Sequence, residues 1–468
     1  MSRKTWVLLV GVCVFLAAGS RTAFSGAPDS TKPNAGQITA EKADVGTAAG
    51  PAKTNAGEIT FELKYRGLSE AKGEIGIGAT YAFHSPVDAA PSTFTKNLNL
   101  PSGKGLYFSL PRLQTQSGEG EWLALEIDGD KSAALYMDLD GDCKFSPSER
   151  ILPSKELLPA PLGPLYVTPD FKGKTPKGKE SPYRVFLMDR TNGVSQGKMR
   201  HYLVLRPACL WEGVGSIAGK SFHLILFDGN FDGLFTEFGE DSYALMPEAD
   251  YLKTQGKSTP LPREPLSGLV PIEQQFYSLR LESTPDGLQP AKAILKRSEI
   301  PLGKIVFEFK GTEGVKAELS SAYLTQGGKV FFNLTGIEAK ERELPVGSYQ
   351  VENGFIRYGS VKPDEWGVNF QNGSEITVAA GTPCIVRLGQ PKLTPTVTKE
   401  QDRYSPEAKP ETAFKKGDEI YCSPEIKGMA GEQYGRFYGS STNKAPEPQV
   451  RIQDANGKEV VSASMQYG

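Results

Sequence analysis

The sequence predicts an all-β protein made of several antiparallel sandwich or immunoglobulin-like modules, with little helix. Three observations carry this expectation. Short apolar or alternating runs recur from Ile59 onward, among them ITFELKYRG, EWLALEID, SAALYMDLD, HYLVLRP and FHLILFD. Alternation at period two marks a half-buried strand, and a short unbroken apolar run fits a strand buried on both faces. The runs end in Gly, Pro, Asp or Asn, and the chain carries 51 Gly and 34 Pro, residues that set turns and interrupt helices. Helical periodicity is scarce: only short pieces such as Glu248–Thr254 and Ile272–Phe276 read that way.

At 468 residues the chain is long enough for several domains, each with a core of its own. Residues 1–25 read as an export signal, in which Arg3 and Lys4 precede an apolar run from Trp6 to Ala18 and small residues follow. That run is shorter than a spanning helix requires, so no membrane span is expected once it is cleaved. The expected location is secreted, periplasmic or cell-surface. Residues 26–57 are rich in Ala, Gly, Thr and Lys and nearly devoid of large apolar side chains, which leaves too little burial to offset ordering. They read as a flexible linker.

Residues 58–297 form the first β domain and 298–392 the second, with strands at KIVFEFKG, KVFFNLTG and SYQVENGFIRYG. In the second domain LPVGSYQV, followed by ITVAAGTPCIVRLG, resembles transthyretin-like and carboxypeptidase-regulatory-like sandwiches. Residues 393–412, rich in Pro, Thr and charge, read as a linker. Residues 413–468 read as a small immunoglobulin-like module, in which Asp454-Ala-Asn456-Gly457 is a hairpin turn. Four cysteines follow the signal: Cys143, Cys209, Cys384 and Cys422. They allow two disulfides, with sequence proximity favouring Cys143 with Cys209 and Cys384 with Cys422, or else buried free thiols.

The most developed chemistry is acidic. Asp138, Asp140, Asp142 and Glu149 stand at the first, third, fifth and twelfth places of DLDGDCKFSPSE. A hard divalent cation takes several oxygens, and carboxylates on alternate residues of a tight loop wrap it from one side while a distant acid closes the other. The spacing resembles the EF-hand-type calcium loop. That resemblance implies Ca2+, a backbone carbonyl from Lys144, a hydroxyl or bridging water at Ser146, and an apolar anchor at Phe145. The loop departs from the pattern at the sixth place, where Cys143 stands instead of the turn-forming Gly. A second loop, DGNFDGLFTEFGED, places Asp228, Asn230, Asp232, Gly233 and Leu234 at places one, three, five, six and seven. Its twelfth place is Gly239, so closure falls to Glu237, Glu240 or Asp241, and Glu240 is the ligand assigned. Apolar residues run directly onto each first Asp, from Ser132–Met137 and Phe222–Phe227, which predicts strand-loop sites in place of helix-loop-helix switches. The competing reading is two solvated acidic turns.

Other chemistries find little support. A net charge of −2 lacks the basic footprint of a nucleic-acid binder. His84, His201 and His223 are isolated, the GxG fragments lack a dinucleotide or P-loop context, and no GxSxG occurs. Asn333-Leu-Thr335 and Asn372-Gly-Ser374 match the N-glycosylation acceptor. The expected role is therefore a calcium-stabilised binding or scaffolding protein, with polysaccharide or another surface protein as partner. A secreted glycan-acting hydrolase is the other reading, because two carboxylates in a cleft leave no sequence signature.

Overall fold

The computed structural model describes residues 9–11, 58–68, 82–84, 105–110, 121–128, 131–139, 144–154, 164–174, 180–195, 198–254, 261–284, 289–310, 317–335, 340–358, 366–399, 420–439, 449–453 and 458–464. The protein is all-β. Its one α-helix among the described residues is Glu248–Thr254, where the sequence predicts it. No helix among them is long and apolar enough to cross a membrane. Within the expected export signal only Leu9–Gly11 is described, paired with the strand Gln449–Gln453.

Four sheets, together with the two-stranded pair Phe171–Lys174 and Glu180–Tyr183, surround one core in the first β block among the described residues. One runs through Gly105–Leu110, Glu121–Asp128, Lys131–Met137 and Arg150–Ile151, and another through Ala82–His84, Lys198–Pro207, Val185–Ser195 and Leu165–Val167. The third runs through Glu264–Pro265, Ser242–Pro247, Lys220–Phe227, Cys209–Ile217 and Lys64–Gly67. The fourth holds Leu269–Ile272, Gln275–Ser283, Pro290–Arg297 and Glu58–Glu62. Leu123 and Leu135, Leu187 and Leu205, Leu224 and Trp211, and Leu279 and Leu295 bring the four sheets into a single apolar cluster. Burial of that apolar surface is the main force holding the block together.

The second β block pairs Leu302–Lys310 in parallel with Cys384–Gly389 and antiparallel with Glu341–Pro345. Its larger sheet is antiparallel and contains Val330–Thr335, Ala317–Gln326, Gly347–Tyr358 and Trp366–Gln371. Gln433–Gly439 adds to that sheet beside Trp366–Gln371, so part of the C-terminal segment completes its neighbour. Tyr349 is buried in this core and its hydroxyl donates to the Pro345 carbonyl at 2.7 Å.

Three expectations are corrected. Ile272–Phe276 is a two-residue hairpin turn between strands and not a helix, with Glu273 at φ 56. Lys392–Lys399, which runs from the second expected domain into the expected linker, is a strand paired with Ile420–Lys427. It lies at the edge of its sheet, where the missing N–H of Pro395 costs no ladder bond. Cys209 and Cys384 are free thiols, so the favoured disulfides do not form; Cys209 is enclosed in the first core.

Candidate metal centre

The second acidic loop is described in full. It bridges Lys220–Phe227 and Ser242–Pro247, whose pairing begins at Phe227 and Ser242, so Asp228 and Asp241 stand at the two feet of the hairpin. Asp228 is wholly buried. Its Oδ1 accepts from the amides of Asn230 (3.1 Å) and Phe231 (2.6 Å), and its Oδ2 from Gly233 (2.8 Å) and the Tyr183 hydroxyl (2.8 Å). A carboxylate offers about four lone-pair sites, so Asp228 is saturated and acts as the hub that folds the loop. Gly233 has φ 77, the left-handed conformation that the sixth place of such a loop requires. Phe235, 1% exposed, anchors the loop in the core against the Tyr183 ring.

Asp241 makes the second tie. Its Oδ1 accepts from Gly229 N at 3.0 Å and its Oδ2 from Glu237 N at 2.8 Å. Glu240, the assigned closing ligand, is exposed, whereas Asp241 is 1% exposed. Between these ties lies the polar centre of the loop. Asn230 Nδ2 donates to Glu237 Oε2 (3.0 Å) and to Asp232 Oδ2 (3.3 Å), while Asp232 Oδ1 accepts from Leu234 N at 2.8 Å. Asn230 thus bridges two carboxylates.

No Lys, Arg or His among the described residues pairs with Asp228, Asp232, Glu237 or Asp241. Burial pushes Asp228 up to about 6 against the hydrogen bonds that pull it down. Burial, then the charge of Asp228, pushes Asp241 up to about 8. Asp232 is raised by burial and by the charges of Asp228 and Glu237. The loop therefore concentrates buried acidic groups without a counter-charge among the described residues.

The first loop is described at its two ends. Asp140 and Asp142, together with Cys143, lie outside the described residues. Asp138 (1% exposed) follows the strand Lys131–Met137, and Glu149 (4% exposed) precedes Arg150–Ile151. Glu149 Oε1 accepts from Leu139 N and its Oε2 from Ser146 N, both at 2.7 Å. Phe145 is buried against Tyr136, and Lys144 is exposed. The wiring matches the second loop. In each, the closing acid stands immediately before the return strand and binds the amide of the residue after the first Asp. In the first loop this acid is Glu149, at the twelfth place; in the second it is Asp241, at the fourteenth, one of the three acids that the spacing leaves open.

Among the described residues no three His, Cys, Asp or Glu side chains converge as a ready metal cage. In the second loop the acids face backbone amides or share the Asn230 side chain instead. Two of the histidines have structural partners: His201 bonds Asp189 at 3.0 Å, and His223 bonds Glu212 at 3.1 Å while stacking on Tyr251. Trp211 is buried in the first core.

No known protein family matches the chain, and no characterised protein matches its sequence. One solved structure, the Bacillus anthracis TIE protein, aligns over 83% of this chain at 11% identity with a TM-score of 0.14. This chain spans 66% of that protein's length.

Proposed function

We propose that this is an exported binding or scaffolding protein of the cell envelope or exterior, whose two acidic hairpin loops take calcium as a structural ion. The observation that carries the reading is the second loop: four carboxylates, three of them buried, which no Lys, Arg or His among the described residues pairs with. Buried charge without a partner is costly, and a bound divalent cation is the group that removes that cost. The donors are all oxygens, with neither thiol nor imidazole, which suits a hard cation.

The entry point is the Asn230 side chain. Asp232, Glu237 and the Asn230 side-chain oxygen would hold the ion, with the Asn230 amide contacts to the two carboxylates giving way to it. Asp228 and Asp241 hold the frame. Sites of this kind in extracellular modules bind calcium with dissociation constants of roughly 10⁻⁴–10⁻³ M, which suits a staple more than a sensor.

Calorimetric titration of the purified protein with calcium tests this, with Asp232→Ala for the second loop and Asp138→Ala for the first. Wild type is expected to release heat and to melt at higher temperature with added calcium, since the ion binds the folded state alone. Each variant is expected to lose one class of site. Neither heat nor a thermal shift at about millimolar calcium would sink the proposal.

A further inference from the structure

A cavity of about 650 Å³ opens between the two β blocks, beside the second acidic loop. Thr236 and Phe238 line it from the loop, Arg280 and Ser283 from the strand Gln275–Ser283, and Lys329 and Val330 from the second block. The junction is tied by backbone: Gly268 N donates to Lys329 O at 2.7 Å, and Phe331 N donates to Ser267 Oγ at 3.0 Å. Its size falls in the range of small-molecule sites, and junctions between domains are where such sites concentrate.

The lining combines two cations, two hydroxyls, a half-buried aromatic ring and the aliphatic side chains of Leu279, Leu281 and Val330, and Arg280 is itself paired with Glu282. Lys329, and the Arg280 nitrogens that Glu282 does not engage, supply charge-assisted donors for a carboxylate, Thr236 and Ser283 supply partners for ring hydroxyls, and Phe238 supplies an apolar face. That set fits an acidic sugar. Among the described lining residues there is no Asp or Glu, so the cleft lacks the carboxylate pair that glycoside cleavage uses. We propose that this inter-block cleft binds a uronic-acid unit of an acidic glycan and holds it without cleavage.

Thr236 and Phe238 are the ninth and eleventh residues of the acidic loop, so the loop's conformation sets one wall. Gly239 fastens that wall, for a Cβ there would lie 2.4 Å from the Phe331 ring of the second block. Calcium held in the loop would act on the cleft through this wall, and by linkage the glycan would then raise calcium affinity by the same factor. This coupling rests on the calcium reading; the cleft itself does not.

The test is calorimetry with a hyaluronan tetrasaccharide, with uncharged chitotetraose and inorganic sulfate as comparators, in calcium and in chelator. Arg280→Glu and Lys329→Glu are exposed changes that leave both cores intact. The tetrasaccharide is expected to bind, each variant to weaken it about ten-fold through loss of one charge-assisted contact, and chelator to weaken it further. Chitotetraose and sulfate are expected to bind far more weakly. Absence of tetrasaccharide binding, equal binding of either comparator, or full affinity in both variants would overturn the cleft. If calcium alone gives no heat on wild type, the calcium reading falls and the chelator arm falls with it, while the sugar arms still decide the cleft. If calcium binds but chelator leaves sugar affinity unchanged, only the coupling is lost.

Discussion

Asp228 spends its four lone-pair sites on the loop itself, which leaves Asp232 and Glu237 as the carboxylates with capacity for an ion. Both Asp228 and Asp241 are raised by burial, to about 6 and about 8. An aspartate in the unfolded chain titrates near ~3.9. Between those limits the native state binds more protons than the unfolded state. Stability without calcium therefore falls as pH rises through the window from about 4 to about 8. Denaturant titrations in chelator should give a lower midpoint at about pH 8 than at about pH 5, and added calcium should restore much of the loss at the higher pH. A midpoint in chelator that rises with pH would show that these acids are not held above their unfolded values. The residue types were legible here: Asp228, Asn230, Asp232 and Gly233 occupy the places that alternate-oxygen spacing assigns. The saturation of Asp228 was not, since it depends on Tyr183, which reaches the loop from a different sheet.

At the scale of elements, the two loops are one device used twice. A strand runs onto a buried Asp, a Phe at the eighth place enters the core, and an acid at the far foot binds the second residue's amide. The return strand fixes where that acid must stand, and the second loop is two residues longer than the first. Counting from the first Asp therefore leaves Glu237, Glu240 and Asp241 open, whereas the start of the return strand at Ser242 places Asp241 at the foot of the hairpin. The consequence is testable by paired substitution. Asp241→Ala strips two amides of their acceptor and should cost about 1–3 kcal/mol, and Glu149→Ala should cost a similar amount. Glu240→Ala, at an exposed position, should stay within about 0.5 kcal/mol and leave calcium binding unchanged. Chemical denaturation of the three variants, together with calcium titration of Glu240→Ala, checks this. A loss of calcium affinity in Glu240→Ala would return the closing role to that residue.

At the scale of the molecule, the hairpin Leu269–Ile272 and Gln275–Ser283 joins two cores. Val270, Ile272, Tyr277 and Leu279 enter the first, while Leu269 and Phe276 enter the second, as the period-two geometry of strands demands. Phe276 meets Phe332 of the second block edge-on at 5.6 Å. Alternation and turns made the strands legible, but a run apolar on both faces does not say which cores it faces. A boundary drawn near residue 297 therefore leaves out the packing that crosses it. Because one element serves both cores, the two blocks should unfold together. Phe276→Ala removes a large buried ring and should cost about 3–5 kcal/mol. Calorimetry should show a single transition spanning both blocks in wild type, shifted down as a whole in the variant, with hydrogen exchange accelerating in Leu224 and Leu295 of the first core as well as in Leu324 and Val351 of the second. Two separated transitions, with only the second displaced by Phe276→Ala, would mean that the shared hairpin does not transmit stability and that each block stands alone.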